Sequence, residues 1–148
     1  MASLANRSGI VPILRMAFVL SMLLYPLVAS LALGPPKWQA PWLPSDQDKA
    51  TLVLVLGIVA LVDAVAGWLV GSLRQPPRFL GAAQGPAAAG FVRFIIALAM
   101  IESGAILGLV LSFITRDPRY AIVFATPAVL LTLLVPGVQP PRADDRQR

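Results

Sequence analysis

The sequence predicts an all-α integral membrane protein with four transmembrane helices in an up-down-up-down bundle and both termini in the cytoplasm. Two features of composition lead to this prediction. Of the 148 residues, 57% are hydrophobic and 13% are charged, whereas about 25% of an average soluble domain is charged. The third observation is the arrangement of apolar residues in long runs, with basic residues at the ends of the runs.

The apolar runs define the four predicted spans, which together form a single domain over residues 1–138. The spans are residues 16–33, 51–73, 91–115 and 120–138, and they bracket the ~20 residues that a membrane helix needs. The first run is longer than the usual apolar core of a signal peptide, so we expect it to be retained. The last residues, 139–148, are charged and predicted to form a disordered cytoplasmic tail.

The basic residues predict the orientation. Of the twelve Lys and Arg residues, eight lie before the first span, in or beside the connection between the second and third spans, or in the tail. The other four lie in the first and third connections. Because cytoplasmic segments carry the excess of Lys and Arg, both termini and the second connection are expected inside. Short loops and an N-in start suit a multi-pass protein of the bacterial inner membrane.

Several functional classes are excluded or disfavoured by residue usage. The chain has no cysteine and no histidine, which removes thiolate and imidazole metal sites and the Ser-His-Asp and Cys-His triads. No nucleophile–base constellation is visible, so we expect no enzyme, no metal and no cofactor. The net charge of +5 is spread over the flanks of the spans, so nucleic acid is not an expected partner and the lipid bilayer is.

Two carboxylates stand out because they lie inside apolar spans. Asp63 is eleven residues before Arg74, and Glu102 is nine residues after Arg93. At ~1.5 Å per residue both lie roughly 13–17 Å from the cytoplasmic helix ends, near the middle of a ~30 Å hydrocarbon core. The two spans are consecutive and antiparallel, so the carboxylates are placed to face each other. Such a pair either holds protons or binds a cation with help from Ser103; the alternative is interhelical hydrogen-bonding glue.

Small residues indicate where the helices approach closely. Gly67 and Gly71 are four residues apart in the second span, as are Gly104 and Gly108 in the third. This spacing puts each pair on one helix face. Glu102 lies on roughly the opposite side of the helix from Gly104, so the third helix is expected to have two different neighbours.

The third span resembles the carboxylate-bearing helix of the proteolipid (c-type) subunits of rotary ATP synthases. The matching residues are Ile95-Ile96-Ala97-Leu98-Ala99-Met100-Ile101-Glu102-Ser103, Ile106, Gly108-Leu109-Val110 and Phe113-Ile114, and Arg74-Gln75-Pro76 is similar to the family's polar loop. The resemblance implies that Glu102 is the ion-carrying carboxylate. It covers the second and third spans only, and Asp63 has no counterpart in it.

Two functional hypotheses follow from these features. In the first, the protein is a small non-enzymatic subunit of a larger or homo-oligomeric membrane assembly, and its midplane carboxylates hold protons or sodium. In the second, it is a purely structural accessory subunit whose glycine faces dock onto copies of itself or onto other subunits.

Overall fold

The computed structural model of the protein describes residues 7–39, 41–72 and 86–136, apart from the side chains of residues 7, 8 and 86–88. This part of the chain is all-helical, and its four helices follow in order: α1 Arg7–Leu33, α2 Gln47–Ser72, α3 Pro86–Thr115 and α4 Arg119–Leu134. The predicted tail, 139–148, lies outside the described residues.

Three of the four helices are long and apolar enough to cross a membrane. They are α1, α2 and α3, with apolar segments of 25, 26 and 27 residues, and they indicate a membrane protein. The fourth helix has 16 residues, which corresponds to ~24 Å at 1.5 Å per residue. It is an apolar helix, but the structure makes it shorter than the predicted span 120–138.

The other three predicted spans coincide with helices that begin earlier, and the predicted ends at residues 33 and 115 are the ends of α1 and α3. Helix α1 begins nine residues before the predicted start, so that Arg15 lies inside its apolar segment. Helices α2 and α3 begin four and five residues earlier than predicted. Hydropathy marks the residues suited to hydrocarbon, whereas the helical hydrogen bonds continue past them, so the apolar runs underestimate the helices.

Local residue chemistry accounts for several helix ends. Gly34 adopts φ 89° directly after α1, and its amide donates to the Ser30 carbonyl at 2.9 Å, which is a left-handed cap that favours glycine. The carboxylate of Asp46 precedes α2 and accepts from the Asp48 amide at 3.1 Å, as an N-cap does. Hydrogen bonds from the backbone and side chain of Lys49 lower the pKa of Asp46 below its usual range.

Helix α3 is the central helix of the described structure. In its most apolar window 44% of the residues are buried, against 11% in α1 and 17% in α2. It packs on each of the other three helices, and α4 also packs on α1. The main core cluster is drawn from α1, α3 and α4 and contains Met22, Phe94, Ala97, Leu98, Ile101, Ala105, Ala125, Ala128 and Val135.

Candidate functional site

Glu102 lies between α3 and α1, where two hydroxyl groups surround one of its carboxylate oxygens. The Ser21 hydroxyl and the Tyr25 phenol each contact Glu102 Oε1 at 2.7 Å. Ser21 and Tyr25 also contact each other at 2.9 Å. The three side chains are half-buried and form a closed triangle of oxygens, which we call the Glu102 cluster.

Helix geometry explains how α1 supplies both hydroxyls. Ser21 and Tyr25 are four residues apart, so they lie on one face of α1, one turn above the other. Sequence reasoning did not find them, because they were read as part of an apolar run. Their i, i+4 spacing was the available signal.

Asp63 has a different partner. Its Oδ2 atom accepts a hydrogen bond from the Ser103 hydroxyl at 2.8 Å, and that hydroxyl also lies 2.7 Å from the Met100 carbonyl. The structure therefore brings Asp63 and Ser103 together, as residues of the predicted ion site. Asp63 and Glu102 do not share a hydrogen-bond partner. Asp63 on α2 binds Ser103 on α3, whereas Glu102 on α3 binds Ser21 and Tyr25 on α1.

The reason for this separation is the helical position of the two α3 residues. Glu102 and Ser103 are consecutive, so their side chains leave the helix about 100° apart. Ser103 turns toward α2 and Glu102 toward α1. We expected one neighbour for Glu102 and another for the glycines. Glu102 meets α1, but the glycines have two neighbours, since Gly104 faces Ala60 of α2 and Gly108 faces Phe124 of α4.

All four predicted packing glycines lie where a second helix of the same chain approaches. A Cβ atom added to Gly67 would come within 2.9 Å of the Ala97 carbonyl oxygen, and one on Gly71 within 2.8 Å of Val135 Cγ1. At Gly104 the nearest atom is the Ala60 carbonyl oxygen, 3.5 Å away. At Gly108 an added Cβ would overlap the side chain of Phe124.

These contacts change the interpretation of the glycine faces. The structural hypothesis treated them as docking faces for copies or other subunits, but they are covered by the protein's own helices. A partner in the membrane must therefore use other surfaces. Large exposed apolar side chains are available along α1 and α2, including Leu20, Leu27, Ile58, Leu61 and Leu69.

Arg15 is a further polar residue that the sequence interpretation assigned only to a flank. One of its terminal nitrogens donates to the Val135 carbonyl, and the guanidinium lies 5.6 Å from the centre of the Phe94 ring. A cation at the end of α4 is favoured by the helix dipole and the unpaired terminal carbonyls. Arg15 thus ties α1 to the end of α4 and to the beginning of α3.

A second polar group links the loop before α2 to the α3–α4 turn. Arg119 forms an ion pair with Asp117 and donates to the Pro41 carbonyl at 2.7 Å. The Tyr120 phenol donates to the Trp42 carbonyl at 2.6 Å, and the two rings lie 5.5 Å apart. An open cavity of about 320 Å³ lies beside these residues, and neither Asp63 nor Glu102 lines it.

Comparison with known proteins gives no relative: no protein-family model, no curated protein and no solved structure matches this chain. In addition, the Glu102 cluster draws Ser21 and Tyr25 from α1, a helix outside the two spans that resemble the c-type subunits.

Proposed function

We propose that the protein is a small non-enzymatic subunit of a larger or homo-oligomeric membrane assembly, and that Glu102 binds and releases an ion, either a proton or sodium. One observation carries the proposal: the partners of this half-buried carboxylate are hydroxyl groups. A hydroxyl can donate to an ionised carboxylate or accept from a protonated one. The cluster can thus adapt to both states, which a fixed partner such as an arginine could not do.

The energetic setting supports a functional role. A charge at the centre of a membrane helix costs ~2.5–3.5 kcal/mol on insertion scales, so ionisable groups there are functional-site candidates by default. Glu102 lies sixteen residues after the start of α3 and thirteen before its end, which is close to the helix middle. It is also the only glutamate of the chain.

For the proposed topology, α4 completes an up-down-up-down bundle with both termini in the cytoplasm of a bacterial cell. The order of contacts supports the alternation. Residues late in α2 meet residues early in α3, as Gly67 meets Ala97, while Gly108 and Ser112 meet Phe124 and Ala121 in α4. The eight-to-four distribution of basic residues supports the orientation.

A second candidate function is structural, and the Asp63–Ser103 contact favours it. In this alternative each carboxylate fastens a neighbouring helix to α3, Asp63 for α2 and Glu102 for α1. Interhelical hydrogen bonds in membranes contribute about 0.6 kcal/mol on average. Such bonds do not require Glu102 to exchange an ion. The two functions therefore differ in whether Glu102 binds and releases a proton or sodium ion from outside the helix bundle.

Labelling with a hydrophobic carbodiimide across pH, with and without sodium, separates these functions. Under the ion-binding proposal Glu102 is modified when protonated, and modification falls as pH rises or as sodium is added. Asp63 serves as the depth-matched comparison, and Glu102→Gln assigns the modified peptide in the mass spectrum. If Glu102 stays unmodified at every pH while the protein is folded, the carboxylate is sealed and the structural function is correct.

A further inference from the structure

We infer that Glu102 is held as a neutral acid in a closed ring of three hydrogen bonds with Ser21 and Tyr25, which makes the site specific for a proton over sodium. This inference rests on the proposed function, because it names the ion that the same site binds. The cluster has more oxygen–oxygen contacts than its two hydroxyl groups have hydrogens.

The cluster has three oxygen–oxygen contacts, at 2.7, 2.7 and 2.9 Å. Each is within hydrogen-bond distance for O–H···O pairs, so three hydrogens are needed to satisfy all of them. Ser21 and Tyr25 carry one hydroxyl hydrogen each. The third must come from Glu102, protonated on the oxygen that lies in the ring.

With Glu102 protonated, every oxygen of the ring donates once and accepts once. With Glu102 ionised, both hydroxyl hydrogens point at the carboxylate, and the 2.9 Å contact between Ser21 and Tyr25 has no hydrogen. Two oxygens would then face each other with lone pairs alone. The observed triangle therefore fits the neutral acid, which also avoids a charge in the middle of an apolar helix.

Sodium fits the same atoms poorly. Calcium, a cation of similar size, holds six to eight oxygens at about 2.3–2.6 Å and spreads them around itself. The Glu102 cluster offers three oxygens that are already in mutual contact. A sodium ion would have to break these contacts and find further ligands.

The charged groups on the packed helices have partners outside the cluster or lie more than two helical turns from Glu102. On α2 the nearest acid is Asp63, whose hydrogen bond goes to Ser103. Arg15, six residues before Ser21 on α1, binds the Val135 carbonyl, and Arg93 is nine residues before Glu102 on α3. On α4, Arg119 and Tyr120 bind the Pro41 and Trp42 carbonyls.

The two tyrosines of the chain make a direct test possible. The Fermi doublet in the Raman spectrum of tyrosine distinguishes a phenol that only donates from one that both donates and accepts. In Tyr120→Phe the only tyrosine is Tyr25, which the ring requires to donate and accept. In Tyr25→Phe the only tyrosine is Tyr120, a matched donor-only reference because it donates to the Trp42 carbonyl.

At neutral pH we expect the donor-and-acceptor pattern from Tyr25 and the donor-only pattern from Tyr120. Adding Ser21→Ala to Tyr120→Phe opens the ring and leaves Tyr25 a single hydrogen-bond partner in the cluster, so Tyr25 should lose the donor-and-acceptor pattern. A donor-only pattern from Tyr25 in the protein with Glu102 intact overturns the inference.

Infrared spectra of the unmodified protein supply the second readout and separate this inference from the proposed function. We expect the carbonyl band of a protonated acid at neutral pH, absent in Glu102→Gln, shifted in heavy water and unchanged by sodium. Loss of the band on adding sodium would refute proton specificity and leave ion binding intact. A band that neither exchanges in heavy water nor titrates would keep the ring and refute ion binding and release.

Discussion

Replacement of Gly108 by alanine should destabilise the protein far more than replacement of Gly57, although both glycines face the same side chain. The added Cβ at position 108 would overlap Phe124 and come within 2.9 Å of the Tyr120 carbonyl oxygen. At position 57 the nearest atom is Phe124 Cζ at 3.7 Å, an ordinary contact. The two variants therefore differ in the space available and share the same chemical change.

The magnitude follows from the atoms that would have to move. The obstacle at Gly108 is partly backbone and partly the Cβ of Phe124, neither of which a rotamer change can displace, so α4 itself must shift. Overpacking of this kind costs about 1–3 kcal/mol. At Gly57 no shift is required, and alanine is the better helix former by about 1 kcal/mol, so the change there should be neutral or stabilising.

Reversible unfolding in detergent mixtures with an increasing fraction of SDS, followed by circular dichroism, measures both variants. We expect Gly108→Ala to unfold at a lower SDS fraction than the unmodified protein and Gly57→Ala at the same or a higher one. Equal unfolding of the two variants would refute the close approach of α4 to Gly108. A larger side chain at Gly108 would therefore disturb the folding of this chain itself, so such a variant does not test assembly with a partner.

Three further outcomes are expected. Tyr120→Phe removes the hydrogen bond to the loop before α2 and should lower stability by about 0.5–1.5 kcal/mol, with faster proteolysis of that loop; unchanged cleavage would contradict the contact. Ser103→Ala leaves Asp63 without its donor and should lower the SDS unfolding midpoint, while Ser103→Thr keeps a hydroxyl and should restore it; equal midpoints would show that the bond contributes nothing. The pKa of Asp46 is lowered in the folded protein, so its hydrogen bond at the start of α2 is fully present above about pH 4 and is lost as the pH falls through the folded-state pKa. Hydrogen exchange at the Asp48 amide should therefore accelerate only in acid. A change near neutral pH would refute this assignment.

The sequence predicts the helices of this protein well because an apolar run of membrane length has few alternatives to helix. It predicts their ends less well. Arg15 was taken as the end of a flank, yet it lies inside α1, because a long side chain can reach a carbonyl that the sequence does not reveal. The end of α4 was also misplaced, because hydropathy does not mark where a helix stops: Val135 is apolar, yet α4 ends at Leu134.

The sequence revealed the two carboxylates of the candidate site but did not reveal which residues contact them. Glu102 and Asp63 stand out in any apolar run, and the glycine spacing marks close helix contacts. Which helix each residue meets depends on rotation about the axis of α3, and a difference of about 100° between neighbours sends Glu102 and Ser103 to different helices. Ser21 and Tyr25 were missed because a hydroxyl in an apolar run acquires a role only through what it faces.

The contact between Arg15 and the Val135 carbonyl has a consequence for the order in which the protein is built. The two residues are separated by 120 positions, so α1 enters the membrane long before its partner is synthesised. Until then the guanidinium, eight residues after the start of α1, must reach water or lipid headgroups, because a charge in the hydrocarbon is costly. We expect α1 to sit at a shallower depth in early insertion intermediates and to reach its final depth only when the end of α4 arrives. The last helix made would thus set the depth of the first.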